Sequence, residues 1–393
     1  MENSELNRNI RLYHWYQAFN EPLFWGPILI AYILHLGKMP LADIYFMEAI
    51  VVLSLIFLEV PSGALADLIG RKKTIVLGGI FNLADVIWFA NADSPLDVWT
   101  ANFLWVIGFS LKSGADSALI YDSLSELGLT KNYKKIEGRA LSNRLLLFAF
   151  SSLITGFLAE INLRLPVMLS ALGIAVSLTA ACFFKEPNAT KSYSLKKQFN
   201  LMKLSVLFVA NHKEIKWLLG FSALIAIISK IWFFTYNPYF ELVNLDLKYY
   251  GFIFFLLNII AWFSSRYAHL AERYITERAV IVAMVGLLSL PIILMGTIVA
   301  WPCIFLVLLQ NFVRGFSFPF FREFLNSRIE SKSRATVISI NSAFNGLAQF
   351  LALGIFSFCL RAYSLPVCLQ ILGIFMLIAG ILGIHRYWQM YRN

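Results

Sequence analysis

Five ionisable side chains interrupt long apolar stretches of the sequence, where a charge points to chemistry. The acids are Glu21 and Asp85, and the bases are Lys112, Lys230 and Arg314. Inside a lipid bilayer each such charge costs about 2.5–3.5 kcal/mol on insertion scales, so each is a candidate site until a partner explains it. A carboxylate can carry a proton there, whereas an arginine fork or a lysine can hold an anion. We predict proton coupling at the two acids and substrate binding at the three bases.

Each of these assignments has a structural alternative. Glu21 and Lys230 could form an ion pair, Asp85 could pair with Lys112, and Arg314 could bond backbone carbonyls at a helix break. Two acids against three bases leave the central slab net positive, which favours an anionic group on the ligand. Aromatic residues on the same stretches are further candidates for lining a binding cavity, namely Trp25, Trp232 and Tyr236.

The elements that must position these residues are membrane-spanning helices. The chain has 393 residues, of which 59% are hydrophobic and 14% charged, with a mean hydropathy of +0.69; this excludes a soluble protein. A span needs about 20 apolar residues, and the apolar runs do not alternate with period 2, so helices are favoured over a barrel. We predict twelve spans, at residues 11–36, 42–66, 74–92, 97–121, 138–160, 165–184, 215–240, 247–270, 279–298, 302–326, 336–360 and 365–385.

The charge distribution predicts the orientation of these spans. The formal net charge is +10, and lysine and arginine are concentrated in alternate loops, as in the runs 71–73 and 131–139. Positive loops remain in the cytoplasm, so both termini are predicted to be cytoplasmic in a multi-pass membrane protein. The basic balance therefore requires no nucleic-acid partner.

The two halves of the sequence resemble one another, which indicates duplication. Gly108-Phe109-Ser110 matches Gly315-Phe316-Ser317 at an offset of 207, and other weaker matches occur in the same order. We predict an N-terminal six-helix bundle over 1–184, a cytoplasmic linker over 185–213 and a C-terminal six-helix bundle over 214–393. Within the linker, Leu195, Phe199, Met202, Val206 and Val209 recur at helical spacing, which fits either an amphipathic helix on the membrane surface or a solvated tether.

The loop after the second span reads GALADLIGRKK and contains Gly63, Asp67, Gly70, Arg71 and Lys72. This segment resembles the signature loop of the major facilitator superfamily (MFS), and the resemblance covers the whole chain. It implies two pseudo-symmetric six-helix bundles and a latch between helix ends in which Arg71 pairs with an acid. The segments LKSGADSALIYDSL and NSRIESKSRATVISI resemble a bacterial branch of that superfamily. By position, the acids that would join the latch are Asp122 and Glu59.

Together these features predict a secondary active transporter that works by alternating access. The expected partners are protons, the lipid bilayer and a small anionic or zwitterionic organic solute, with a polycarboxylate-like metal chelate such as a siderophore as one option, and the expected state is a monomer. Efflux of drugs or metabolites by proton antiport is the alternative. A membrane-embedded enzyme is disfavoured because five scattered histidines and four cysteines without a C-x-x-C motif form no recognisable catalytic or metal set. No cofactor is expected.

Overall fold

Long α-helices form almost the whole described part of the chain, because apolar runs can satisfy their backbone hydrogen bonds in a membrane only as helices or closed barrels. A computed structural model describes residues 2–188, 212–268, 275–328 and 331–390. The linker segment 195–209, predicted as an amphipathic helix or a tether, lies outside these residues. Among the described residues, eleven helical stretches are long and apolar enough to cross a membrane.

The helices before the linker are α1 to α8. Their bounds are α1 Glu2–Phe19, α2 Leu29–His35, α3 Leu41–Ile69, α4 Arg71–Ala90, α5 Pro95–Lys112, α6 Ala115–Glu126, α7 Tyr133–Ile161 and α8 Arg164–Cys182. Those after the linker are α9 Lys213–Leu242, α10 Leu247–Arg266, α11 Glu277–Thr297, α12 Leu306–Arg328, α13 Ser331–Ala362 and α14 Leu365–Met390.

Two predicted spans are not continuous helices. The span predicted over 11–36 is divided into α1 and α2, with residues 20–28 outside any helix. Pro22 and Pro27 have no N–H to donate to a helix, and their rings obstruct the preceding turn, so the helix is broken here. The span predicted over 97–121 is divided between α5 and α6 at Ser113 and Gly114.

The chain divides into two compact units, and the boundaries between them do not lie only at the linker. The N-terminal unit comprises residues 1–39, 53–195 and 247–255, and the C-terminal unit comprises 40–52, 196–246 and 256–393. The first part of α3 thus belongs to the C-terminal unit, and the first part of α10 to the N-terminal unit.

Specific contacts explain both exchanged segments. In the C-terminal unit, Tyr45 of α3 is fully buried and its hydroxyl donates to the Ile231 carbonyl of α9 at 2.9 Å. In the N-terminal unit, Gly251 of α10 lies against the Ser152 carbonyl of α7, and Gly156 lies against the Lys248 carbonyl. Glycine at both positions allows the two backbones to approach as closely as membrane helices do at small-residue crossings.

Candidate functional site

The two helix breaks of the N-terminal unit contain or adjoin the ionisable residues Glu21, Lys112 and Asp116. The first break, at 20–28, contains Glu21. The second separates Lys112 from Asp116, and Gly114 there has a φ of +79°, a conformation that favours glycine. Irregular backbone at membrane depth is tolerated where it is buried in protein or lines a cavity, so breaks of this kind point to a binding site.

A cavity of about 300 Å³ lies beside both breaks. Most of the lining residues are polar, and they come from both breaks and from α1, α4, α5, α6 and α7. Its members are Gln17, Asn20, Glu21, Asn82, Trp105, Phe109, Lys112, Ser113, Gly114, Asp116, Ser117, Glu137, Leu141 and Arg144. A larger groove of about 980 Å³ is lined by the beginning of α9 and the end of α14 and contains none of the predicted site residues.

The cavity contains more acids than bases. Glu21, Asp116 and Glu137 face Lys112 and Arg144. The sequence predicted a net positive slab because Asp116, Glu137 and Arg144 lie nearer the ends of the apolar runs and were not counted. The predicted positive slab comprised five residues from both halves of the chain, of which this cavity contains only Glu21 and Lys112, so that expectation stays a prediction.

Lys112 is 5% exposed and has an unusual set of partners. Its ammonium donates to the backbone carbonyl of Asn20 at 3.1 Å and to the Asn20 side-chain oxygen at 2.5 Å. No described carboxylate lies within salt-bridge distance of it, so the suggested pair with Asp85 is not formed. Both acceptors are neutral, which leaves the positive charge of Lys112 available to a ligand anion.

Glu21 is paired within its own unit. Its carboxylate accepts from the Arg144 guanidinium at 2.9 Å, and the Glu21 side chain is 47% exposed. The alternative of a structural pair with Lys230 stays a prediction, since Glu21 and Lys230 belong to different units. The predicted role of Glu21 in proton coupling stays a prediction.

A chain of hydrogen bonds connects the other two acids of the cavity. The Tyr13 hydroxyl donates to Glu137 at 2.7 Å, and the Gln17 amide donates both to the Tyr13 oxygen and to Asp116, each at 2.9 Å. The backbone N–H of Ser117 also donates to Asp116, at 2.7 Å. Neither carboxylate forms a salt bridge with a cation in the described parts of the chain.

Asp85 and Trp25 lie away from the cavity. Asp85 is 2% exposed on α4, and one of its carboxylate oxygens has no hydrogen-bond partner among the described residues. Trp25 packs edge-on against Phe89, with 5.7 Å between ring centroids. Neither side chain lines the cavity, so both assignments stay predictions without support from its geometry.

The predicted residues of the C-terminal unit have different surroundings. The Lys230 ammonium lies 2.6 Å from the Glu48 carboxylate and above the Phe234 ring. Arg314 is half-buried and has no salt bridge to any carboxylate in the described ranges, so its guanidinium can still receive an anion. The amide of Asn311 donates to the Tyr236 hydroxyl oxygen at 2.6 Å.

Trp232 and Tyr236 are core residues of that unit. They are 1% and 5% exposed, and their rings pack edge-on with 5.7 Å between centroids. Such burial is typical of aromatic packing between helices. Their proposed contact with substrate is not supported within this unit.

The signature loop forms a network at the beginning of α4. Arg71 makes a salt bridge with Asp122, the acid that the resemblance indicated, and donates to the Ala118 carbonyl at 2.7 Å. Gly70 precedes α4 with a φ of +101°. Glu186 accepts from the backbone N–H groups of Arg71 and Lys72, each at 2.7 Å.

Other members of the proposed latch contribute less. Glu59 is exposed, and Asp67 is half-buried and takes no part in this network of described residues. A side chain at Gly63 would meet nothing within 4 Å among the described residues, so close packing does not explain glycine there. The latch function of all these residues stays a prediction.

Sequence reasoning missed four functional candidates, Glu48, Asp116, Glu137 and Glu186. Glu48 is an acid in the apolar run LADIYFMEAIVV, which is the same signal that identified Glu21. Asp116 follows Ser113-Gly114, a breaker pair that could have indicated the second break. Glu186 and Glu137 lie near span ends, where an acid is common, and no local pattern distinguishes them.

Comparisons with known proteins agree with this architecture. No protein-family model matches the chain. The chain is 23% identical over 376 residues to YxaM of Bacillus subtilis (strain 168), described as an uncharacterized MFS-type transporter, and the match covers 91% of this chain and 90% of the relative.

Solved structures of transporters have the same fold over nearly the full length. A mutant of the nucleoside transporter NupG matches with a TM-score of 0.79 at 14% identity, covering 98% of this chain and 100% of that one. An inward-facing bacterial homologue of the lysosomal transporter Spinster gives 0.74 at 12% identity, with 98% and 96% covered. The D-xylose–proton symporter gives 0.69 at 12% identity, with the same coverages. The chain therefore has the fold of major facilitator superfamily transporters and is similar over most of its length to an MFS-type transporter.

Proposed function

We propose that the chain is a proton-coupled secondary transporter for a small zwitterionic or anionic organic solute. The observation that carries the proposal is the 300 Å³ cavity beside two helix breaks. Ligand pockets in proteins typically measure about 300–1,000 Å³, so this volume suits a small solute. Helix breaks at binding sites are a recurring feature of secondary transporters.

The charges in the cavity favour a zwitterion. Lys112 is held only by neutral oxygens of Asn20 and can receive a carboxylate. Asp116 and Glu137 lack cationic partners among the described residues and can receive a positive group. A polycarboxylate metal chelate would bring further negative charge to three carboxylates, so the cavity gives the siderophore-like option no support.

Drug efflux fits this cavity less well than solute transport. Only Trp105, Phe109 and Leu141 offer large apolar surfaces in its lining, whereas lipophilic compounds bind in mainly apolar pockets. Whether the solute is imported or exported depends on how its movement is coupled to protons, and transport assays measure it. Arg314 is proposed as an anion contact of the C-terminal unit because it is half-buried and has no ion pair with a described acid.

The proposed location is a bacterial inner membrane with both termini in the cytoplasm. The basic runs at 71–73 and 131–139 support this orientation, since lysine and arginine remain on the cytoplasmic side. Alternating access would then expose the site to each side in turn.

The direct test is transport by purified protein in proteoliposomes with an imposed pH gradient. The probes are radiolabelled glycine and 5-aminolevulinic acid as zwitterions, succinate and citrate as anions, and uridine as a neutral solute. We expect gradient-dependent accumulation of a zwitterion that a protonophore abolishes. Accumulation of uridine alone, or uptake of a probe that is indifferent to the gradient, contradicts the proposal.

Variants connect transport to the cavity. Lys112→Gln should reduce uptake of an active probe at least about tenfold, since one charged hydrogen bond contributes roughly 1.5–3 kcal/mol. Arg164→Gln is the matched control, because Arg164 pairs with Asp93 away from the cavity. If Glu21→Gln and Arg314→Ala both leave transport intact, their proposed roles are wrong.

A further inference from the structure

The negative charges in the N-terminal cavity outnumber the positive charges. Three carboxylates, Glu21, Asp116 and Glu137, face two cations, Lys112 and Arg144. Glu21 is matched by Arg144 at 2.9 Å. One cation then remains for two acids. Both acids are half-buried, where an ionised carboxylate without a cationic partner is costly, and a bound proton removes that charge.

Asp116 and Glu137 are connected to each other through neutral groups only. Tyr13 and Gln17 bridge the two carboxylates by three hydrogen bonds of 2.7–2.9 Å. Two linked acids of this kind titrate as a unit, and the first proton they bind belongs to the pair. The groups that surround the pair are Tyr16 and Glu21 from the α1 side, Lys112 from α5, and Tyr133 and Arg144 from α7.

The position of the pair also suits proton exchange. Both acids line the cavity, so a proton on either one can reach the compartment to which the cavity opens. Asp85, in contrast, is 2% exposed and does not line the cavity. Glu21 is already bound by the Arg144 guanidinium.

We propose that Asp116 and Glu137 together bind one proton in the substrate-free state, and that this pair is the proton-coupling site of the transporter. The coupling role of the pair rests on the proposed function, whereas proton binding by the pair can be tested without a substrate. With one shared proton, the three acids carry two negative charges and balance Lys112 and Arg144. The pair thereby replaces Glu21 and Asp85 as the leading candidates.

The experiment is infrared difference spectroscopy of the full chain in phosphatidylethanolamine and phosphatidylglycerol vesicles, with protons as the only probe. Protonated carboxylic acids have a carbonyl absorption that ionised ones lack. We expect such an absorption at neutral pH that disappears as the pH rises, and we expect it to be lost in Asp116→Asn and in Glu137→Gln. Asp85→Asn and Glu126→Gln, which alter acids off the cavity, should retain the pH-dependent absorption.

Tyr13→Phe tests whether the absorption comes from the Asp116–Glu137 pair or from Glu21, because Tyr13 contacts the pair and the substitution changes no charge. The Tyr13 hydroxyl donates to Glu137 and thereby stabilises the ionised carboxylate. Without this donor the protonated form is favoured, so the absorption should persist to a pH higher by about one unit. The substitution keeps the buried aromatic ring, so the protein should still fold. Size-exclusion chromatography checks this. Absence of the absorption at neutral pH, or a midpoint unchanged in Tyr13→Phe, overturns the proposal. Failure of every transport probe would instead contradict the proposed function and leave the spectroscopic result intact.

Discussion

The Lys230 ammonium lies 2.6 Å from the Glu48 carboxylate inside the C-terminal unit, so an acid from the first half of the sequence neutralises a base from the second. The Glu48 side chain is 9% exposed and that of Lys230 is 32% exposed. This contact explains how an apolar stretch of α9 accommodates a lysine. It also gives part of α3 a specific partner within that unit.

Removal of one partner from this pair should destabilise the protein. Glu48→Gln leaves the Lys230 charge without its carboxylate, and we expect a loss of about 1–3 kcal/mol, below the roughly 3–5 kcal/mol of fully buried pairs because water reaches Lys230. Thermal unfolding in detergent measures the change. The double variant Glu48→Gln, Lys230→Gln should recover most of the loss.

Asp43→Asn is the control for this prediction. Its partner Arg361 lies at a similar distance, 2.8 Å, but the two side chains are 43% and 51% exposed. Exposed pairs contribute about 0–1 kcal/mol, so the control should be nearly neutral. Equal stability of Glu48→Gln and Asp43→Asn would contradict the assignment of a buried, stabilising pair.

Hydropathy located the spans because the bilayer imposes their length and composition. It predicted residues 165–184 where α8 covers Arg164–Cys182, and 215–240 where α9 covers Lys213–Leu242. The first break coincides with Pro22 and Pro27, whose rings interrupt a helix although the stretch is apolar on average. The second break was missed because Gly114 interrupts a stretch that is apolar on average, and a window average conceals a single turn.

Ion-pair partners were harder to predict than spans. Within the separate units, Glu21 pairs with Arg144 and Lys230 pairs with Glu48, and neither of these pairs was predicted from the sequence. Partner choice depends on the rotation of each helix about its axis and on its tilt, neither of which hydropathy specifies. The Arg71–Asp122 contact was anticipated because it belongs to a motif with fixed spacing.

The crossing of α7 and α10 should be sensitive to a single added methyl group. Gly251→Ala would place its Cβ against the Ser152 carbonyl, a backbone atom that cannot move independently. We expect a loss of about 1–3 kcal/mol, as for other overpacked sites. Thermal unfolding in detergent detects it.

Gly63→Ala is the matched control for this crossing. Gly63 lies inside α3, and a methyl group added there would have no described atom within 4 Å. Alanine is favoured over glycine in a helix interior by about 1 kcal/mol, so this variant should be neutral or more stable. Destabilisation by Gly63→Ala with a neutral Gly251→Ala would refute the packing described for both.

Glu186 should stabilise the beginning of α4 by binding two backbone N–H groups that have no acceptor within the helix. It accepts from Arg71 and Lys72 at 2.7 Å each, where the helix dipole also favours a negative charge. Glu186→Gln retains the acceptor oxygen but loses the charge, and we expect a cost of about 1 kcal/mol. The effect should diminish at high salt. Glu5→Gln, which removes an exposed partner of Lys185, is the control.

Arg71 and Asp122 should be energetically coupled if they act as a latch. Their side chains are 22% and 17% exposed, so the salt bridge is shielded from water. In a double-mutant cycle of Arg71→Gln and Asp122→Asn, we expect a coupling energy of about 1–3 kcal/mol in unfolding, since the residues are in direct contact. Arg71→Lys should recover only part of it, because lysine cannot reproduce the second hydrogen bond to Ala118 with the same geometry. A latch also predicts that Arg71→Gln slows counterflow of an active probe while its binding affinity is retained. Additive stability effects with normal counterflow would reduce this contact to an incidental surface pair.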